Sequence, residues 1–284
     1  MKEKKKMSRR RIVFLIVWLA LIAAIVAAIF AVGLPSGNEE SVREAMRDAV
    51  LHEKNKISLF GLDVNPGLVS AFAVTAIILV SALAVRIFFL PRFKRVPGKL
   101  QSVVEWTVGF FNDMAGKNSP HKTAFVGAYI YGAGCYIFFG TLFELIGAQA
   151  VTREGHSIAL PAPLSDINGA IALGVTSFLV ILFAGMITGG IKGALGVLKD
   201  FSLPISMSFR LFGALLSGLL VTELVYYYTA LSFGLPVLVG VLFTLLHALI
   251  QTYVLTTLVS IFYGEAAEPK PKKAKNNEKK EIKQ

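Results

Sequence analysis

The sequence predicts an all-α polytopic membrane protein with five to six membrane-spanning helices, the last two long and strongly tilted, plus one interfacial amphipathic helix. Three observations carry this reading. First, 55% of the 284 residues are hydrophobic and only 17% are charged, where a soluble domain of this length carries about a quarter charged residues. Second, residues 12–33, 67–85, 123–143, 167–191 and 233–263 each hold an apolar stretch long enough to cross a bilayer core, and residues 201–230 are as apolar except for Arg210 and Glu223. Third, the net charge of +11 is unevenly placed. Seven Lys or Arg lie in residues 1–11 and seven in residues 270–283, and Arg92, Lys94, Arg95, Lys99, Lys117 and Lys122 share one loop. Six spans put these segments on one side, the positive-inside pattern, with both termini cytoplasmic. The basic tails therefore read as topology signals that touch anionic membrane lipid, not as a nucleic-acid footprint.

In chain order, residues 1–33 form a basic N-terminus followed by a membrane anchor or leader. The stretch resembles a signal peptide, but its apolar run of about twenty residues favours a retained anchor. Cleavage would leave five spans. Residues 34–66 form an external segment. Residues 67–268 are the membrane domain, and the Lys-, Glu- and Pro-rich residues 269–284 are expected to be a disordered cytoplasmic tail.

Within the membrane domain, "LPRFKRVPGK" ends the first of its spans. In "LQSVVEWTVGFFNDMAGK", Leu100, Val103, Val104, Thr107, Phe110, Phe111 and Met114 recur at helical spacing. The segment is too polar to span, so it reads as a helix in the cytoplasmic interface anchored by Trp106, or as a helix packed on protein; the two are compatible. The next two spans form a hairpin around "QAVTREGHSIALPAPLSDING", where Ser165 or Asp166 is the expected N-cap. "GMITGGIKGALG" ends the later of them, as a close helix approach or as a turn. Residues 201–230 amount to roughly 45 Å of helix against a hydrocarbon core of about 30 Å, and residues 233–263 are as long. Both must tilt.

Arg210 is the sharpest single feature. Guanidinium does not lose its proton in proteins, and at mid-membrane it costs about 2.5–3.5 kcal/mol on insertion scales. Intramembrane charges mark ion or substrate pathways. The competing account is an ion pair with Glu144, the one acid deep in its span, which lies towards the opposite surface. Gln251 and His247 are one turn apart on the last helix. Gln251 falls roughly level with residues 210–218 and reads either as a partner that directs the guanidinium or as a helix–helix hydrogen bond. His247 reads as a proton relay or as a structural imidazole. Glu223, about 20 Å along its helix from Arg210, reads as part of an aqueous entry path or of an interfacial zone beside Tyr226, Tyr227 and Tyr228. Ser206, Ser208, Gly213, Ala214, Ser217 and Gly218 give the arginine helix a smooth face, suited to sliding past a partner helix or to ordinary close packing.

The lone Cys135 makes no internal disulfide, and four scattered histidines show no metal-ligand spacing. No metal and no cofactor is expected. No paired catalytic acids or nucleophile elbow point to an enzyme.

"LPISMSFRLFGALLSG" resembles the arginine-bearing helix of subunit a of the F-type ATP synthase, a family with a P-[IV]-S-x-x-x-R-L-F-G-N pattern. "LIQTYVLTTLVSIFYGEA" is similar to its last helix, "VPGKLQSVVEW" to the segment after its first span, and "PLSDIN" to its [ST]-A-D-x-N entry to a later span. The resemblance runs from about residue 57 to 268. It implies a non-catalytic, ion-translocating stator subunit in the membrane of a bacterium. Such a subunit sits beside a rotating ring of c subunits and is held by b subunits of the peripheral stalk. Arg210 would face the ring's carboxylates between two half-channels for H⁺ or Na⁺, with Gln251 near it and Ser206 on the cytoplasmic side. The chain departs from the pattern at Ala214, Leu219 and Thr244, so Glu223 and His247 are candidates for the external path. A secondary transporter that binds an anion through a buried arginine is the alternative, though no internal repeat supports it.

Overall fold

The computed structural model describes residues 14, 16–20, 23, 27, 56–59, 62–120, 123–152, 155, 157–227 and 235–268. The expected anchor or leader (residues 1–33), the charged segment after it and the basic tail (269–284) lie largely or wholly outside the described residues.

Two short ribbons and six long helices make up the described chain from residue 57 on. Strands β1 (Ile57–Leu59) and β2 (Leu62–Val64) pair antiparallel, Ile57 opposite Val64. Helix α1 (Pro66–Ala84) follows at once. Asn65 caps it through Oδ1, which accepts from Gly67 N at 2.9 Å, and Pro66 supplies a preset first-turn φ. A π turn and a 3₁₀ turn carry the helix on to Arg92. Helix α2 (Lys99–Asn118) and helix α3 (Thr123–Ile146) come next. Strands β3 (Gln149–Val151) and β4 (Ser157–Ala159) form the second ribbon, turned by Gly155 at φ +82°. Then come helices α4 (Ile167–Leu198), α5 (Ser202–Tyr227) and α6 (Leu235–Ala267). The two ribbons are the departure from an all-α expectation; each is a local hairpin beside a helix end and neither joins a larger sheet.

Large apolar side chains cover the outside of the bundle as well as filling its core. Phe72, Leu79, Val80, Phe139, Phe183, Ile187, Leu242 and Leu246 are exposed. Buried positions include Ser70, Thr141, Ser177, Thr256 and Ser260, with glycines at the closest crossings. In water such a surface would aggregate; in lipid, where apolar burial drives nothing, helices associate through small residues and hydrogen bonds. Several crossings follow that rule. Gly134 of α3 receives the Phe111 ring of α2, and a Cβ there would stand 3.3 Å from Cγ2 of Thr252 on α6. Gly264 of α6 packs on the Asn118 carbonyl. Tyr129 Oη and Ser177 Oγ bond at 2.9 Å between α3 and α4. Asn118 Nδ2 donates to Ser260 Oγ at 3.2 Å, and Ser260 Oγ donates to the Met114 carbonyl at 3.2 Å.

Helix α2 packs on the rest of the chain, as one of its two sequence readings has it, and keeps an apolar face open. Phe111 and Ala115 are buried against the bundle, whereas Leu100, Val103, Trp106 and Phe110 remain exposed as an apolar face. Asp166 is the N-cap of α4, its Oδ1 accepting from Asn168 N at 3.1 Å. The turn before it is not a surface loop. Pro161–Ser165 are all buried, and the Pro163 ring lies 3.6 Å from where a Cβ on Gly140 of α3 would stand.

The glycine segment ends the first run of α4 by reversing it. Gly190 has φ 60° and ψ −147°, which a side chain would disfavour. Beyond it the chain folds back, so that Gly185 and Gly193 pack backbone to backbone and Val197 Cγ2 would come within 2.8 Å of a Cβ at Gly185. Eight residues of straight helix would hold Gly185 and Gly193 about 12 Å apart. Close approach and turn, alternatives in the sequence, are the same device.

Candidate functional site

Helix α5 packs on α4 through Pro204 and Ser208, and Pro204, Met207, Ser208, Leu211 and Leu215 are its buried positions. Gly174 permits this: a Cβ there would collide with Ser208 Oγ and stand 3.0 Å from the Pro204 carbonyl. Ser208 donates to that same carbonyl at 2.7 Å. This corrects the smooth face read from sequence. Ser208 points inward and is 6% exposed, whereas Ser206, Gly213 and Ser217 lie on the opposite stripe.

Arg210 is on that outer stripe. It is exposed, and among the described residues it has no hydrogen-bond or ion-pair partner. The spacing of Ser206, Arg210, Gly213 and Ser217 puts them in one line along the helix, flanked by exposed Ile205 and Phe209. Ala214 and Gly218 are partly buried, turned towards the edge where α6 packs.

Across that edge, a Cβ at Gly218 would stand 4.0 Å from Nδ1 of His247. His247 Nδ1 lies 2.7 Å from the Phe243 carbonyl. A carbonyl only accepts, so Nδ1 carries the hydrogen at this contact, which leaves Nε2 as the ring atom not used in it. The imidazole also stacks on the Phe243 ring, centroids 5.9 Å apart. Counting one antiparallel turn from the Gly218–His247 contact puts Gln251 level with Ala214, and a second puts Leu255 level with Arg210. Gln251 is therefore one turn, about 6 Å, from the level of the arginine. It is 6% exposed and its Oε1 is buried with no hydrogen-bond partner. Thr252 Oγ1 beside it is also buried and unpartnered. A buried polar atom left without a partner costs about 1–3 kcal/mol.

The remaining sequence candidates disperse. Glu144 is partly buried near the far end of α3. The Gly134–Thr252 contact sets the α3–α6 register, and by that register Glu144 is about 13 residues, roughly 20 Å, from the level of Arg210. Glu223 lies on α5, but its side chain is outside the described residues. Ser206 shares the arginine's stripe one turn earlier.

Two features escaped sequence reasoning. One is Asp166, which the sequence assigned only a capping role: α5 packs on the adjoining Pro163–Ser165 turn, so this carboxylate belongs to the same end of the α4–α5 pair as Arg210. The other is a cleft of about 530 Å³ where the reversal of α4, the start of α5 and the end of α6 meet. Thr188, Asp200, Leu203, Glu265 and Glu268 line it. Asp200 and Glu265 are far apart in sequence, and no motif joins them. Among the described residues no His, Cys, Asp or Glu cluster has the form of a metal site.

Four described helices (α1 continued to Arg92, α3, α4 and most of α6) are long and apolar enough to cross a membrane. Helix α5, which carries Arg210, is not among the four. A helical bundle with four such helices and an apolar outer surface is a multi-pass membrane protein. The family model described as ATP synthase A chain matches residues 69–264. The chain belongs to that family, the membrane-embedded a subunit of the F-type ATP synthase, a non-catalytic subunit concerned with proton transport in ATP synthesis.

Proposed function

We propose that this chain is the stator half of a rotary ion path in which Arg210 meets the carboxylates of a rotating c ring. The single observation that carries the reading is Arg210 itself: an exposed guanidinium on a helix stripe of Ser206, Gly213 and Ser217, without an internal partner among the described residues. A permanent charge in that setting asks for a counter-charge from another protein. A ring carboxylate brought opposite Arg210 ionises, because the positive charge lowers its pKa. It gives its ion to one aqueous path and takes another from the second, and Arg210 separates the two.

Each path has a physical basis. On one side, Leu203 lines the acidic cleft, and Ser206 and Arg210 follow it at successive turns of α5. The cleft is read as the port on that side, cytoplasmic by the positive-inside rule. On the other side, His247 has Nε2 free to accept a proton, with Gly218 leaving room at its face. Asp166 and Glu223 are read as the acids of that path, in place of the side chains absent at Leu219 and Thr244. Gln251 is read as a neutral partner that directs the guanidinium without cancelling its charge. Helices α5 and α6, of 26 and 33 residues, are read as tilted in the bilayer and facing the ring, with b subunits of the peripheral stalk holding the chain still.

The test is Arg210→Ala in the assembled complex in membrane vesicles. Loss of ATP-driven ion pumping with normal assembly is expected. Pumping at the unmodified rate would sink the reading.

A further inference from the structure

The loop between α1 and α2 is not a bare topology signal. Phe89, Arg92, Phe93, Lys94, Val96 and Lys99 are among the residues around a cleft of about 400 Å³, and no acid lines it. Arg92, Lys94 and Lys99 are exposed and make no ion pair or side-chain hydrogen bond among the described residues; Arg95 adjoins them in the same state. The loop is held in place by its backbone. Lys94 N donates to Gln101 Oε1 at 3.0 Å, and Gln101 Nε2 donates to the Lys94 carbonyl at 2.9 Å. Gln101 thus ties the loop to the first turn of α2. The nearest acid on α2, Glu105, is bonded to Gln101 Nε2 at 2.7 Å and lies outside the cleft.

We propose that this cleft binds the phosphate headgroup of an anionic phospholipid. Charge complementarity supplies the anion: three unpaired cations converge on one concavity, and a phosphate offers several acceptor oxygens to guanidinium and ammonium donors. The surroundings select lipid over free phosphate. Arg92 ends a helix long and apolar enough to cross the membrane. Val96 is 83% exposed, and Leu100, Val103 and Trp106 extend an open apolar face from the rim along α2. A free anion would leave that face in water, whereas acyl chains cover it. The site uses none of the residues assigned to the ion path, and its fate is independent of that reading.

The experiment uses the whole complex in vesicles doped with photoreactive phosphatidylglycerol or with the matching phosphatidylcholine probe. Cross-linked peptides of this chain are then mapped. Labelling of residues 89–101 by the anionic probe is expected to exceed labelling by the zwitterionic one at least fivefold. Lys94→Gln and Lys99→Gln should each reduce it at least threefold. Lys192→Gln with Lys199→Gln, exposed lysines outside the cleft, should leave it unchanged. Because loop cations also set topology, Gln101→Leu serves as a second variant. It keeps every charge but unties the loop, and it too should lower the labelling. Equal labelling by the two probes, or no loss in the three cleft variants, overturns the proposal. So does full displacement of the label by millimolar inorganic phosphate, which would mark a free-phosphate site.

Discussion

Gly218 of α5 lies against His247 of α6: a side-chain carbon at Gly218 would come within 4.0 Å of the imidazole Nδ1. This one contact sets the register of the last two helices. It puts Gln251 beside the level of Ala214 and leaves Arg210 one turn further on, facing out of the bundle.

A methyl group at Gly218 meets His247 at ordinary van der Waals distance, and a larger side chain would reach on towards the imidazole. Gly218→Ala is expected to retain most ATP-driven proton pumping. Gly218→Leu should displace the imidazole and reduce pumping roughly tenfold with the complex intact, since a misplaced proton-transfer group costs on the order of 10²–10⁴ at the limit. Comparable rates in the two variants would separate His247 from the path.

His247 is expected to work through Nε2. His247→Ala should slow pumping about tenfold or more. Pumping rates in vesicles are the check. An unaltered rate would mean that the ring is only packing on Phe243.

Gln251 separates stability from function. Its buried Oε1 has no partner, so Gln251→Leu removes a desolvated acceptor of about 1–3 kcal/mol. The variant complex is expected to melt no lower than the wild type while its ion transport falls. If melting drops and transport persists, the glutamine is a structural hydrogen-bonding group.

Gly174 holds α4 and α5 together by absence of a side chain. Gly174→Val collides with Ser208 and the Pro204 carbonyl and should destabilise the chain by about 1–3 kcal/mol, as overpacking does. Reduced incorporation into the membrane complex, measured by the amount co-purified, is the expected result.

The acidic cleft makes its own prediction. Asp200→Asn with Glu265→Gln keeps shape and removes two carboxylates from its lining. Passive proton conduction through the membrane sector is expected to fall severalfold, with assembly unchanged. Unchanged conduction would leave the cleft outside the path.

Much of the fold is legible in the sequence. Long apolar runs marked the four helices able to cross a membrane, Ser165 or Asp166 was the expected cap of α4, of which the structure selects Asp166, and the glycines around Gly190 foretold the break in that helix. The two ribbons were missed because three-residue strands carry too little periodicity to register. The site was legible in part. Arg210 announces itself because a permanent charge in an apolar run is costly in a membrane. Asp166 and the cleft acids Asp200, Glu265 and Glu268 look ordinary at helix ends, where charges are common.

The sequence by itself determined that the chain belongs in a membrane and that Arg210 is the residue to explain. Both follow from transfer free energies, which depend on each residue and its immediate neighbours. Tertiary structure alone decided the faces: Ser208 inward and Ser206 outward, Gly218 on His247, Gln251 buried with an unmet acceptor. A helix that is apolar all round has no polar face to say which side packs. In lipid that choice falls to small residues on other helices, such as Gly174 meeting Ser208 and Gly134 meeting Thr252, and those matches exist only once the chain is folded.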